Sequence, residues 1–454
     1  MWCYLSLRKR VINAVYWSFF GHLSSNIIRL LSNLILTRLL MPEMFGLMSI
    51  VFVFISTIAM LTDTGIRPFI IKNKEHCSPK LVNTAWTLQI IRGLIVWSII
   101  GLITFSLSYI QGFDVFDVDS VYSDPKLPII IFVVGFASII SGFNSISIYL
   151  MDRELSVKHM IKITLFARIT STISMVLAAY FWQSVWVLVI GAMLNNLLIM
   201  ISSHFLPGSN HKIFIDKAIA LEILSFGKWI MLSTLMSMLH MNGDRIILSM
   251  FISTSQLGIY SIALLYTEAI RAIFSTLSVK IWFPVLSEIN RDDSKEKIKQ
   301  TYYKIRLYQD AITYFISGLI FAIAPILISI LYDERYQEAG TYLSILALGL
   351  IGVNIELASH MLLSLGNSKA VSFINSIRTI TLWILLFVLI KYFSLSVAIW
   401  AIALNFILLY PIMWYFLRKH GLLNIVKELR TIPILLLGII IGNFISIFVI
   451  KIGF

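Results

Sequence analysis

Apolar runs recur along the whole chain, near residues 11–40, 46–66, 84–110, 127–150, 163–181, 185–203, 221–250, 256–287, 304–331, 340–363, 373–392, 396–416 and 433–450. Most hold about 18–25 residues, enough for a helix to cross a hydrocarbon core of about 30 Å. The runs are continuous rather than alternating, which predicts helices and argues against the short, dyad-patterned strands of a β-barrel. The pattern is that of an all-α polytopic membrane protein with 12–13 transmembrane helices. Pro207-Gly208 and the His, Lys and Asp around it mark a polar break. We read residues 1–205 as a first six-helix lobe, 206–220 as a cytoplasmic linker, 221–420 as a second six-helix lobe and 421–454 as an extra C-terminal helix. Tyr302 to Asp310 is amphipathic and is expected to run along the inner interface before its helix enters the bilayer.

The two lobes read as repeats. Leu39-Leu40-Met41-Pro42-Glu43-Met44-Phe45-Gly46 and the residues up to Ile50 align with Phe251 through Ile262 at an offset of 212, so that Gly46, Ser49 and Ile50 match Gly258, Ser261 and Ile262. At an offset of 210, Gly142, Asn144, Met151, Leu155 and Arg168 match Gly352, Asn354, Met361, Leu365 and Arg378. Six helices is an even number, so both copies enter from the same side. Such a parallel repeat is related by a pseudo-twofold along the membrane normal, and its substrate site is expected between the lobes.

Composition agrees with the pattern: 58% of residues are hydrophobic and 13% are charged, against about 25% charged in soluble domains. The formal charge of +13 would suggest nucleic acid in a soluble protein; here it follows the positive-inside rule. Of 36 basic residues, 23 fall in the segments read as cytoplasmic and only Lys126, Arg335 and Lys391 in those read as external. The N-terminus is therefore expected inside. Cys3 and Cys77 both fall on the cytoplasmic side without CxxC spacing, so neither a disulfide nor a metal site is indicated. There is no GxxxxGK[ST] phosphate loop, no HExxH and no long outer loop to hold a catalytic domain. The chain reads as a transporter without cofactor or metal rather than as an enzyme.

The chemistry lies in charge placed inside the spans. One ionised side chain at mid-bilayer costs roughly 2.5–3.5 kcal/mol, so Arg29, Lys228, Asp244, Arg245, Glu268 and Arg271 facing lipid would together cost on the order of 15–20 kcal/mol. They must pair with one another or face water. In the first helix His22, Ser25, Asn26, Arg29, Ser32 and Asn33 make one polar stripe at three- and four-residue spacing. Ser233, Ser237, His240 and Asp244 do the same in the seventh, beside Arg245, and Thr267, Glu268, Arg271, Ser275 and Ser278 in the eighth. The second helix adds Ser56 and Asp63. These stripes predict a hydrated, net-cationic central cavity suited to an anionic head group, because guanidinium forks match phosphate oxygens. Arg29, Arg245, Lys228 and Arg271, with His22, Asn26 and Asn33, are the candidate substrate ligands. Asp63, Asp244 and Glu268 are the candidate ion-coupling groups. A blander reading stands beside each: Glu268 with Arg271, and Asp244 with Arg245, as self-neutralising pairs, and Arg38, Arg92, Arg168, Arg378 and Lys280 as interfacial anchors.

The stretch Leu36-Thr37-Arg38-Leu39-Leu40-Met41-Pro42-Glu43-Met44-Phe45-Gly46, followed by Asp63-Thr64-Gly65-Ile66, resembles the opening helices of Wzx-type polysaccharide flippases. Asn242-Gly243-Asp244-Arg245-Ile246-Ile247-Leu248, followed by Leu257-Gly258-Ile259-Tyr260-Ser261, is similar to the start of their second lobe. The resemblance implies the multidrug/oligosaccharidyl-lipid/polysaccharide exporter fold and alternating access in a bacterial inner membrane. It implies export of an undecaprenyl-pyrophosphate-linked oligosaccharide for O-antigen, capsule or a related polymer, with membrane lipids, H+ or Na+, and polysaccharide polymerase and chain-length proteins as partners. The rival readings are a multidrug antiporter of the same superfamily, which would want an acidic cavity, and an integral-membrane glycan polymerase or ligase, which would want a large outer loop.

Overall fold

The structure is a computed structural model that describes residues 7–62, 65–72, 78–113, 115–154, 156–292 and 295–452. Asp63, Cys3 and Cys77 lie outside the described residues, as do the side chains of Lys228, Ser233, Ser237, His240 and Lys280.

Among the described residues every long element is a helix. The chain runs through α1 (Leu7–Leu39), α2 (Pro42–Leu61), α3 (Ile66–Lys72), α4 (Pro79–Gln111), α5 (Leu127–Gly135), α6 (Ala137–Gly142), α7 (Ser147–Arg153), α8 (Val157–Phe181), α9 (Val185–Ser203) and α10 (Lys217–Leu248). It continues through α11 (Thr254–Leu277), α12 (Phe283–Asp292), α13 (Lys295–Leu331), α14 (Glu338–Leu348), α15 (Val353–Ser364), α16 (Ser368–Tyr392), α17 (Leu395–Leu404), α18 (Tyr410–Lys419), α19 (Ile425–Leu429) and α20 (Ile432–Lys451). Local chemistry sets the starts. Pro42 and Pro79 sit in first turns, where a missing N–H costs nothing. The Ser78 hydroxyl accepts from Leu81 N, and the Asp216 carboxylate from the amides of Ala218 and Ile219.

Among the described residues ten helical stretches are long and apolar enough to cross a membrane, and the bent α5–α7 stretch makes an eleventh. The chain is a multi-pass membrane protein. Two more helices, α1 at 33 residues and α10 at 32, reach the required length. They are the two that carry the polar stripes of the first and seventh predicted spans, which lowers their mean hydropathy.

The element order repeats. α8 and α16 are each 25 residues long and begin 211 positions apart. α2 and α11 begin 212 apart, and α9 and α17 begin 210 apart. The repetition reaches single side chains. Gln89 on α4 donates Nε2 to the carbonyls of Gly142 and Asn144, at 3.0 and 2.9 Å, where the following span breaks between α6 and α7. Gln309 on α13 donates Nε2 to the Val353 carbonyl at the matching break before α15.

By packing, the chain divides into two compact units, Met1–Thr254 and Ser255–Phe454. The division falls after α10 rather than in the polar linker, because α10 lies against α2, α3 and α4. The linker itself is strapped to α4: backbone amides of Lys212, Phe214 and Asp216 donate to Asn83 Oδ1, Thr87 Oγ1 and Thr84 Oγ1, each at 3.0 Å. The first unit also folds its loop 115–126 onto the end of α10. Val121 N donates to the Ile252 carbonyl, and Ser120 Oγ to that of Ser249. The Ser249 hydroxyl bonds the Tyr122 hydroxyl at 3.0 Å, and burial raises the Tyr122 pKa.

In the second unit α11 and the α14–α15 span are the most buried, while α16 and α20 keep mostly exposed apolar surface of the kind lipid covers. α20 lies along α13 and approaches it backbone to backbone at two glycines. A Cβ on Gly438 would meet the Phe315 carbonyl at 2.4 Å, and one on Gly318 the Leu435 carbonyl at 2.2 Å. Gly438 and Gly442 thus make a small-xxx-small contact of the kind that lets membrane helices approach closely.

The stretch Tyr302 to Asp310 departs from expectation. It is part of the continuous helix α13, and its polar face is turned into the protein: Tyr302, Tyr303, Arg306, Gln309 and Asp310 are all at most 3% exposed. Arg306 stands between two carboxylates, with Nε donating to Asp310 Oδ2 at 3.1 Å and NH2 lying 2.8 Å from Glu428 Oε2 on α19. Trp414 Nε1 donates to the same Glu428 oxygen. The polar face turns inward because these groups satisfy one another there, at a sequence separation that periodicity cannot register.

Candidate anion site

The first unit supplies most of the candidate residues. α1 presents Asn26, Arg29 and Asn33 as half-buried groups and His22 as an exposed one. Its polar positions hold their own backbone: Ser32 Oγ donates to the Arg29 carbonyl and Thr37 Oγ1 to that of Asn33. α8 packs along α1, and its Arg168 donates NH1 to the Ser25 carbonyl at 3.3 Å. That bond sets Arg168 one turn from Arg29, close enough for the two guanidinium charges to repel.

On α10, Asp244 is buried and Arg245 half-buried, and Arg245 NH1 donates to Asn242 Oδ1 at 3.1 Å. Lys228 lies on the same helix, but its side chain is outside the described residues, as is all of Asp63. Arg92 on α4 donates NH2 to the Ala59 carbonyl near the end of α2 at 2.6 Å.

The second unit holds a separate group. On α11 Glu268 is half-buried, and Arg271, one turn on, donates Nε and NH2 to Glu356 Oε1 on α15, at 2.9 and 2.6 Å. Arg378 on α16 lies near both, repelled by Arg271 and attracted by Glu356. His360 is one turn beyond Glu356 and packs its ring against Phe283.

Arg92 and Arg168 thus each donate to a backbone carbonyl on a neighbouring helix. Their depth was open to a sequence reading, but their direction was not. Glu356 escaped notice because its partner lies 85 positions away. The one available signal was the repeat, which places Arg168 and Arg378 at equivalent positions.

The comparisons with known proteins agree with this architecture. Over 303 residues the chain is 22% identical to the lipopolysaccharide biosynthesis protein WzxC of Escherichia coli K12, covering 66% of this chain and 59% of that protein. It is equally similar, over 304 residues, to an uncharacterized membrane protein in the cps region of Klebsiella pneumoniae, covering 66% of this chain and 60% of the relative. The match thus spans about three-fifths of the length of these relatives. In fold it resembles the lipid II flippase MurJ in an inward closed conformation, with a TM-score of 0.69, 16% identity and coverage of 96% of this chain and 92% of that one. It also resembles an inward-facing multidrug resistance MATE family transporter of the MOP superfamily, with a TM-score of 0.64, 14% identity and coverage of 87% and 94%. Residues 35–340 match the polysaccharide biosynthesis protein family, and the chain belongs to that family, built on the multidrug/oligosaccharidyl-lipid/polysaccharide exporter fold.

Proposed function

We propose that this protein is an inner-membrane flippase, with its N-terminus in the cytoplasm, that carries an undecaprenyl-pyrophosphate-linked oligosaccharide to the outer leaflet by alternating access. The observation that carries the reading is the Arg29–Arg168 pair: two guanidinium groups on packed spans of a multi-pass protein from the polysaccharide biosynthesis family. Pyrophosphate presents several anionic oxygens, and paired guanidinium forks engage them through charge-assisted hydrogen bonds that strengthen where water is scarce. We assign the head group to Arg29 and Arg168 in the first unit, with Arg245 and Lys228 as further ligands there and Arg271 as a ligand in the second unit. His22, Asn26 and Asn33 offer hydrogen bonds to sugar hydroxyls, while the lipid tail stays in the hydrocarbon.

Asp63, Asp244 and Glu268 are the groups through which H+ or Na+ would drive the cycle, since one charge moving through 100 mV is worth about 2.3 kcal/mol. The released unit would pass to a polysaccharide polymerase and its chain-length proteins. A cationic drug would meet repulsion at the Arg29–Arg168 pair, so the multidrug reading is disfavoured. Losing one charge-assisted contact costs roughly 1.5–3 kcal/mol, or about 10- to 100-fold. Arg29→Ala with Arg168→Ala should therefore abolish flipping of a lipid-linked oligosaccharide in proteoliposomes, and undiminished transport by the double variant would refute the site.

A further inference from the structure

Two kinds of arginine–carboxylate pair occur in the second unit. In the Arg306 group the paired side chains are at most 2% exposed, and nothing from outside can reach them. In the Arg271–Glu356 pair the side chains are 39% and 24% exposed. A charged pair that open would be heavily penalised against lipid, so the open side faces water or a polar ligand. The geometry is also the looser form. Nε and NH2 of Arg271 both converge on Oε1 of Glu356, in place of the parallel two-oxygen fork that makes arginine–carboxylate pairs strong.

A second cation stands beside this pair. Arg378 lies on α16, which packs against α15, and feels both the Arg271 and the Glu356 charges. In the sequence register that matches Asn144 with Asn354 and Arg168 with Arg378, the position matching Glu356 is Ile146. The first unit thus repeats the arginine without the carboxylate, and the carboxylate is particular to the second copy.

We propose that Arg271 and Arg378 form an anion site of the phosphate class in the second unit, and that Glu356 occupies it as an internal counter-anion which an arriving phosphate displaces. The inference deepens the flippase reading and rests on it for the identity of the anion as a prenyl-linked pyrophosphate. Glu356 keeps the empty site neutral enough to sit in a membrane and lowers its affinity, so that a bound head group can leave again. A phosphate group offers Arg271 two oxygens where Glu356 offers one, and it also engages Arg378.

Titration calorimetry on the full chain in detergent tests this, with inorganic pyrophosphate and a short-chain prenyl pyrophosphate as probes. Glu356→Gln should bind either probe about tenfold more tightly, and Arg378→Gln about tenfold more weakly, each converting to about 1.4 kcal/mol. Glu356→Asp, which keeps the charge on a shorter arm, should fall between wild type and Glu356→Gln, and melting curves of all three verify folding. Unchanged or weaker binding by a folded Glu356→Gln overturns the proposal, as does full affinity in Arg378→Gln. The Arg29→Ala, Arg168→Ala double variant separates the two readings: if it binds and flips normally while Glu356→Gln still tightens binding, the first-unit site fails and the second-unit site stands.

Discussion

Truncating Glu428 tests how the C-terminal helix is held. The carboxylate is 1% exposed, accepts Trp414 Nε1 at 3.2 Å and lies 2.8 Å from Arg306 NH2. Glu428→Ala leaves the Trp414 N–H without its acceptor and removes one of the two carboxylates around a guanidinium that is itself 1% exposed. Removing one partner of a buried pair costs about 3–5 kcal/mol, because the other charge stays buried without compensation. For a unit of this size each kcal/mol lowers the melting temperature by roughly 2–4 °C, so the expected loss is about 6–20 °C. The matched control is Arg67→Ala. Arg67 also pairs at 2.7 Å, with Asp152, but its own side chain is 58% exposed. Asp152 is 8% exposed and loses that cation, so the loss should cost about 1–3 kcal/mol, still below that at Glu428, where both partners are buried. Tryptophan fluorescence during heating of the detergent-solubilised protein reads both variants. A Glu428→Ala shift no larger than that of Arg67→Ala would sink the claim that the buried cluster anchors α19 and α20.

Two further outcomes are expected. Gly438→Leu should destabilise the α13–α20 contact by about 1–3 kcal/mol or more, since its Cβ would meet the Phe315 carbonyl oxygen at 2.4 Å, and backbone cannot retreat as a side-chain tip can; Ile440→Leu on the exposed face should leave the melting temperature unchanged. The linker strap should loosen in acid: His211 Nε2 accepts from Ile146 N at 3.2 Å and lies 2.8 Å from Ser145 Oγ, a role open only to the neutral ring. Burial, and then the nearby His204, lower the His211 pKa below its ordinary 6.5. The unfolded chain therefore binds the proton first, and stability is complete above about pH 6.5 and falls as pH drops toward the folded value. Hydrogen exchange at the Lys212 and Phe214 amides, corrected for intrinsic rates, should speed up from about pH 7.5 to about pH 5.5 in the wild type but not in His211→Ala; equal acceleration in both would remove His211 from the explanation.

Much of the fold was open to reading because it is written in local periodicity. Uninterrupted apolar runs fix spans, since in lipid only a helix satisfies its own backbone. The repeat was legible because each copy reuses breaks and caps at a spacing that composition does not blur, as in the paired breaks before α7 and α15. What stayed hidden was set by contacts between distant residues. The linker looks like a free boundary from Pro207-Gly208, yet Asn83, Thr84 and Thr87 bind its backbone from more than 120 positions away. Tyr302 to Asp310 has the composition of an interfacial segment, and its inward burial is made tolerable by distant partners, among them Trp414 on α18 and Glu428 on α19.

For the candidate site the limit is sharper. A polar stripe tells which face of a helix needs company, and those of α1 and α11 told it for Arg29 and Arg271. It does not tell whether the company is protein or ligand. That choice depends on whether a counter-charge arrives from another helix. For Arg271 it does arrive, since α15 delivers Glu356 from 85 positions away, a distance over which no helical period on α11 can announce it.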